Sequence, residues 1–154
     1  MNKHNSNKSV GIMGQISGYN IPLHQVMISD FIYHIRRFLQ SRGLQYEFTV
    51  APEVVLKNED LKGGYIIPDV SIKKRESSWN QPEMIIEVTR NRGWNSDIKK
   101  VRKAIKEVSS LKEVFVFNIE ESECWRISKP DFDEEDGNCF SSVLKFDLKN
   151  CLRG

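Results

Sequence analysis

The chain has 154 residues, of which 39% are hydrophobic and 29% charged, with a net charge of +2. That composition excludes the poorly hydrophobic, highly charged class that stays disordered, and a chain of this length buries enough apolar surface to fold without a disulfide or metal staple. No apolar run reaches the ~18–20 residues of a membrane span, and the polar start MNKHNSNKSVGIMG lacks the apolar core of a signal peptide. Cys124, Cys139 and Cys151 show no metal-ligand spacing, so they read as packing residues in a reducing, cytoplasmic compartment.

Residues 1–20 read as a flexible arm and 21–154 as a single domain. After Pro22, apolar residues at Leu23, Val26, Met27, Phe31, Ile35, Phe38 and Leu39 recur in steps of three and four, which predicts a long helix closed by Arg42-Gly43. Tyr46–Leu56 predicts a strand interrupted at Pro52, and a polar turn over Asn58–Gly64 leads to a second strand, Tyr65–Ile72. A third strand, Met84–Thr89, is followed by a helix over Ser96–Leu111, capped by Asn95 or Ser96. Val114–Phe117 is wholly apolar, as expected of a strand buried on both faces. A hairpin into Cys124–Ile127, an acidic loop over 131–136 and a short strand near Val143–Leu148 complete the chain. The order predicts an α/β fold with a mixed sheet flanked by helices.

The small net charge hides a split. Residues 90–112 carry eight basic side chains against Asp97 and Glu107, for +6, whereas residues 120–136 carry eight acids against Arg126 and Lys129, for −6. The basic block suits phosphate neutralisation, the dominant salt-sensitive term in nucleic-acid affinity. A solvated helix face beside an acidic loop is the plainer alternative. The loop Asp131–Gly137 has its glycine at the seventh position and Ser142 at the twelfth, which does not fit a calcium-binding loop.

Two acids interrupt apolar strands. Asp69 stands between Ile66-Ile67-Pro68 and Val70, and Glu87 lies inside Met84–Val88; Glu53 holds a similar place in the first strand. A carboxylate buried there without a partner costs several kcal/mol or takes up a proton. Two carboxylates facing one cleft would instead make a hard oxygen site suited to Mg2+. For Asp69 the alternative is a turn after Pro68, and for Glu87 emergence into solvent before Thr89-Arg90-Asn91-Arg92. Trp79 and Trp94 suit either base stacking or core capping, and His34 reads as an ordinary packed or surface histidine.

The run Ile67-Pro68-Asp69-Val70 followed by Pro82-Glu83-Met84-Ile85-Ile86-Glu87-Val88 resembles the PD-(D/E)XK nuclease superfamily, and in particular the Uma-type restriction endonuclease family. The likeness spans residues 20–127. It includes His24, with Val26 and Leu39, in the first helix and Glu113-Val114-Phe115-Val116-Phe117 in a later strand. It implies a restriction-endonuclease-like core, Mg2+ or Mn2+ held by Asp69, Glu87 and the Val88 carbonyl, and DNA as substrate.

The superfamily lysine two residues after the glutamate is replaced by Thr89. The family alternative, a lysine four residues after a helical aspartate, falls on Val101 if Asp97 is that aspartate; Lys100 and Lys103 flank it. Helical geometry favours Lys100, which flanks the apolar stripe, over Lys103, which faces solvent. The expectation is a Lys100 ammonium within about 6 Å of a Glu87 oxygen, the range of an effective charge pair. Asp69, Glu87 and Lys100 or Lys103 are thus the candidate catalytic residues, and Arg90, Arg92, Lys99 and Lys103 the candidate phosphate contacts. Strand alternation would turn Arg90 to the face opposite Glu87. Cutting both strands of a duplex would call for a homodimer. The missing motif lysine leaves open a non-catalytic nucleic-acid-binding or partner-binding module on the same fold. A small structural interaction protein, binding neither metal nor nucleic acid, is a third reading.

Overall fold

The computed structural model describes residues 20–57 and 64–152. Helix α1 (Asn20–Ser41) leads to β1 (Phe48–Pro52), β2 (Val70–Lys74) and β3 (Met84–Thr89). A short 3-10 turn (Asn91–Gly93) opens α2 (Trp94–Glu107), and β4 (Glu113–Asn118), β5 (Glu123–Ser128) and β6 (Asp133–Asp136) follow. The short strands β7 (Phe140–Ser141) and β8 (Phe146–Asp147) form a separate ribbon before a 3-10 turn at Leu148–Leu152. The expected arm (1–20) lies outside the described residues apart from Asn20, and the turn at Asn58–Gly64 apart from Gly64.

The six strands β1–β6 pair in chain order, and only β3 and β4 run parallel. A parallel pair needs a crossover, and α2 provides it. Strand alternation then sorts the sheet into two cores. Ile86, Val88, Phe115 and Phe117 face α1, where Ile28, Phe31, Ile32, Ile35 and Leu39 pack on them. Ile85, Val114 and Val116 face α2, against Ile98, Val101, Ala104 and Ile105. The first helix therefore buries a stripe shifted from the expected one, because Leu23 and Val26 are 42% and 53% exposed. Its end is as predicted: Gly43 takes φ +70°. Leu44 N–H then donates to Leu39 O at 2.8 Å and Gly43 N–H to Gln40 O at 3.1 Å, the paired bonds of a left-handed glycine cap.

Several boundaries differ from the sequence reading. The first strand stops at Pro52, which sits on the sheet edge where a missing N–H is tolerated. Helix α2 begins at Trp94 with Gly93 as its N-cap, and Ser96 Oγ donates to Gly93 O at 2.9 Å instead of capping the helix. Most of the acidic segment forms β6, because its backbone pairs with β5 while its side chains remain largely in solvent. Cys124 and Cys139 are joined by a disulfide, which corrects the reading of both as free packing residues. Cys151 is free and buried. Among the described residues no helix is long and apolar enough to cross a membrane.

Candidate active site

The strands open a cleft at the carboxyl end of β3, the end where α/β sheets with parallel strands commonly place ligands. Its volume is about 660 Å³, and its lining includes His24, Asp69, Glu87, Val88, Asp97 and Lys100. His24 comes from α1, Asp69 from the residue before β2, Glu87 and Val88 from β3, and Asp97 and Lys100 from α2. The β2–β3 register pairs Val70 with Ile86, so one step further along the two chains sets Asp69 across from Glu87. There β2 has ended, and Asp69 Oδ2 takes over the ladder by accepting the Val88 N–H at 2.7 Å. This bond fixes the carboxylate, and it explains why an acid follows Pro68 at this point.

Glu87 points toward α2, on the same face as Ile85 and Thr89. It is 2% exposed. Desolvation is the main reason its carboxyl is pushed up to about 8; the nearby Asp69 and Asp97 add to the rise, and Lys100 opposes it. Lys100 Nζ lies 2.9 Å from Glu87 Oε1 and donates to the Ile67 carbonyl at 2.8 Å. The contact has the distance of an ion pair, which is fully charged only where the carboxyl gives up its proton, and Oε1 gains no well-aligned hydrogen bond. Of the two candidate lysines, the structure brings Lys100 to the carboxylates, inside the expected 6 Å, and leaves Lys103 exposed and outside the cleft lining.

His24 reaches the same place from α1. Its Nε2 is 2.8 Å from the Val88 carbonyl and 3.2 Å from Asp69 Oδ2. A carbonyl oxygen only accepts, so Nε2 carries the proton. The imidazole thus holds the two oxygens on either side of the β3 end. Its partners are 45 and 64 residues away in sequence, and spacing alone could not disclose them.

The remaining candidates divide. Arg90 and Arg92 line the cleft. Arg90 lies beyond the end of β3 at Thr89, where strand alternation no longer sets its direction. Arg90 Nε lies 3.9 Å from Glu120 Oε1, and Asn91 N–H donates to Glu120 Oε2 at 3.2 Å. Asn118, which sequence reasoning passed over, ties this corner together: its amide donates to Asn91 Oδ1 at 2.6 Å and accepts the Glu120 N–H at 2.9 Å. Lys99 is exposed. Thr89 donates its hydroxyl to the Arg90 carbonyl at 3.2 Å, into the turn. Glu53 lies past the end of β1, exposed, and accepts from Gln25 at 3.0 Å. Trp94 packs partly buried on the α2-side core, the capping role of its two readings; Lys73 Nζ sits over the Trp79 ring, 4.9 Å from its centre.

No group of three or more His, Cys, Asp or Glu side chains able to hold a metal gathers among the described residues. Asp69, Glu87 and the Val88 carbonyl nevertheless form a hard oxygen set, with one buried oxygen lacking a hydrogen bond. Mg2+ commonly uses one or two carboxylates and keeps several waters, so this donor set fits it.

The arrangement has the fold of the restriction-endonuclease-like class, a mixed sheet flanked by helices with a carboxylate cleft at the end of the central strands. The particular likeness is to a putative nuclease belonging to DUF820 from Anabaena variabilis. Its crystal structure overlays on 84% of this chain and 80% of that one, with a TM-score of 0.60 and 13% identity. The type IIG restriction endonuclease BpuSI overlays on 67% of this chain with 11% of its own, at a TM-score of 0.47 and 16% identity. No protein-family model matches the sequence, and no curated protein is significantly similar to it.

Proposed function

We propose that the protein is a metal-dependent DNA endonuclease of the Uma-type branch of the PD-(D/E)XK superfamily. The observation that carries this reading is the Glu87–Lys100 pair: a buried carboxylate and an ammonium 2.9 Å apart, in a cleft shared with Asp69. The fold shared with a putative nuclease supports it.

In this reading Asp69, Glu87 and the Val88 carbonyl hold Mg2+ or Mn2+. The ion, when bound, supplies water activation and offsets charge on the phosphoryl group. The Val88 N–H fixes Asp69, so that the carboxylate does not have to be reorganised when substrate arrives. Lys100, steered by the Ile67 carbonyl, places a cation where the scissile phosphate gathers negative charge. Arg92 and Lys99 hold the flanking backbone, with Arg90 at the cleft wall. Two sites are needed to cut both strands, which favours a twofold dimer; a monomer by light scattering in the presence of duplex would remove that part.

The test is a plasmid-cleavage assay with Mg2+ or Mn2+ on the wild type and on a variant carrying Asp69→Ala and Glu87→Ala, with metal binding followed by calorimetry. Cleavage and ion binding should both vanish in the variant; if either persists unchanged, these residues do not form the site. A second reading, a non-catalytic nucleic-acid-binding module, draws on Thr89 and on His24, whose Nε2–H contacts both Val88 O and Asp69 Oδ2. It predicts steeply salt-dependent DNA binding with no uptake of either ion at millimolar concentration.

A further inference from the structure

Between β1 and β2 the chain leaves the sheet and returns; Glu53 N–H donates to Asp69 O at 3.1 Å, and further out the two legs pair at Leu56 and Ile66. Leu56 N–H donates to Ile66 O at 2.8 Å and Ile66 N–H to Leu56 O at 3.0 Å. Both side chains are buried in the α2-side core. Antiparallel alternation therefore sets Val55 opposite Ile67 and Lys57 opposite Tyr65 on the other face. Among the described residues that face is exposed. Tyr65 is 61% exposed, Val55 41% and Ile67 40%, and Lys57 is exposed as well.

This apolar and basic ribbon is joined to the cleft. The Ile67 carbonyl is the one that accepts from Lys100, and Asp69 stands two residues further along. From the Ile67 carbonyl that Lys100 holds, the chain runs back two residues to Tyr65. An exposed ring beside a lysine is the chemistry that binds a base by its face and the adjoining phosphate by its charge. Within a duplex both faces of a base are covered by its neighbours, so a single ring can take only a base that has left the stack.

We propose that Tyr65, with Lys57 across from it, is a stacking platform for an unpaired base beside the phosphate held in the Asp69–Glu87 cleft. The preferred substrate is then single-stranded or locally unstacked nucleic acid. The position of that phosphate rests on the nuclease reading.

The test measures binding by fluorescence anisotropy in EDTA, with a labelled thymidine oligonucleotide and a duplex of the same length, using the full chain. Tyr65→Ala should weaken single-strand binding by roughly tenfold, leave duplex binding within twofold, and melt like the wild type by circular dichroism. Tyr65→Phe, which keeps the ring face, should bind like the wild type. Wild-type affinity in Tyr65→Ala overturns the platform, as do an equal loss on duplex, a matching loss in Tyr65→Phe, or no nucleic-acid binding by the wild type. Because binding is read without metal, a wild type that binds but never cleaves when Mg2+ or Mn2+ is supplied overturns the nuclease reading and leaves the platform standing.

Discussion

A carboxyl group inside an apolar strand stays charged only at the expense of stability, unless a cation compensates it. Glu87 is that group, and Lys100 compensates it in part. Its carboxyl sits near 8 in the folded protein against 4.5 without the fold. Between those values the unfolded chain has released the proton and the folded chain keeps it. The metal-free protein should therefore lose stability as pH rises from about 4.5, levelling off above about 8. Glu87→Gln removes the titrating group, so in EDTA its melting temperature should gain on the wild type steadily from about pH 5 to about pH 8. Parallel profiles would mean that Glu87 is not a strained carboxyl. For catalysis, Lys100→Ala should lower kcat by about 10²–10³-fold, the usual loss on removing one stabilising charge or donor. Lys103→Ala should stay within twofold. Equal losses would deny Lys100 its special place.

At the scale of the elements, the turn between β3 and α2 sets the cleft. Gly93 has no room for a side chain: a Cβ there would collide with Thr89 Oγ1 and come to 3.4 Å from Asp97 Oδ2. Gly93→Ala should cost about 1–3 kcal/mol in denaturant unfolding, and Thr89→Ala in the same chain should restore most of it. A loss that Thr89→Ala does not relieve would place the strain elsewhere. The strands β3 and β4 and helix α2 were legible in the sequence, because apolar runs and steps of three and four record burial directly. Asp69 and Glu87 stood out for the same reason, as acids where burial was expected. β6 was not legible: an edge strand is made by backbone pairing, and Asp133–Asp136 carries no apolar alternation to mark it. His24's contacts and the Cys124–Cys139 pairing escaped too, since both depend on how distant segments meet in space.

Across the whole molecule, the basic and acidic segments meet. Arg102 Nε and Nη2 contact Glu134 at 2.7 and 3.0 Å, and Arg90 Nε lies 3.9 Å from Glu120 Oε1. The +6 of residues 90–112 is thus partly consumed within the fold. Lys99 has no ion-pair partner among the described residues and is exposed. In duplex-binding titrations, Lys99→Ala should reduce the slope of log affinity against log salt by about 0.9, the contribution of one neutralised phosphate. Arg102→Ala should leave the slope unchanged. The opposite pattern would move the nucleic acid from the helix start to its middle.

The placement of β4 has a consequence for timing. His24, Asp69, Glu87 and Lys100 all precede Val101, yet Glu87 becomes buried only when β4, residues 113–118, slides in beside β3 and α2 closes over the pair. On the nuclease reading, every candidate catalytic group would therefore leave the ribosome before the cleft is assembled. On that same reading, a half-made chain would carry the candidate residues unassembled, and β4 would complete the cleft.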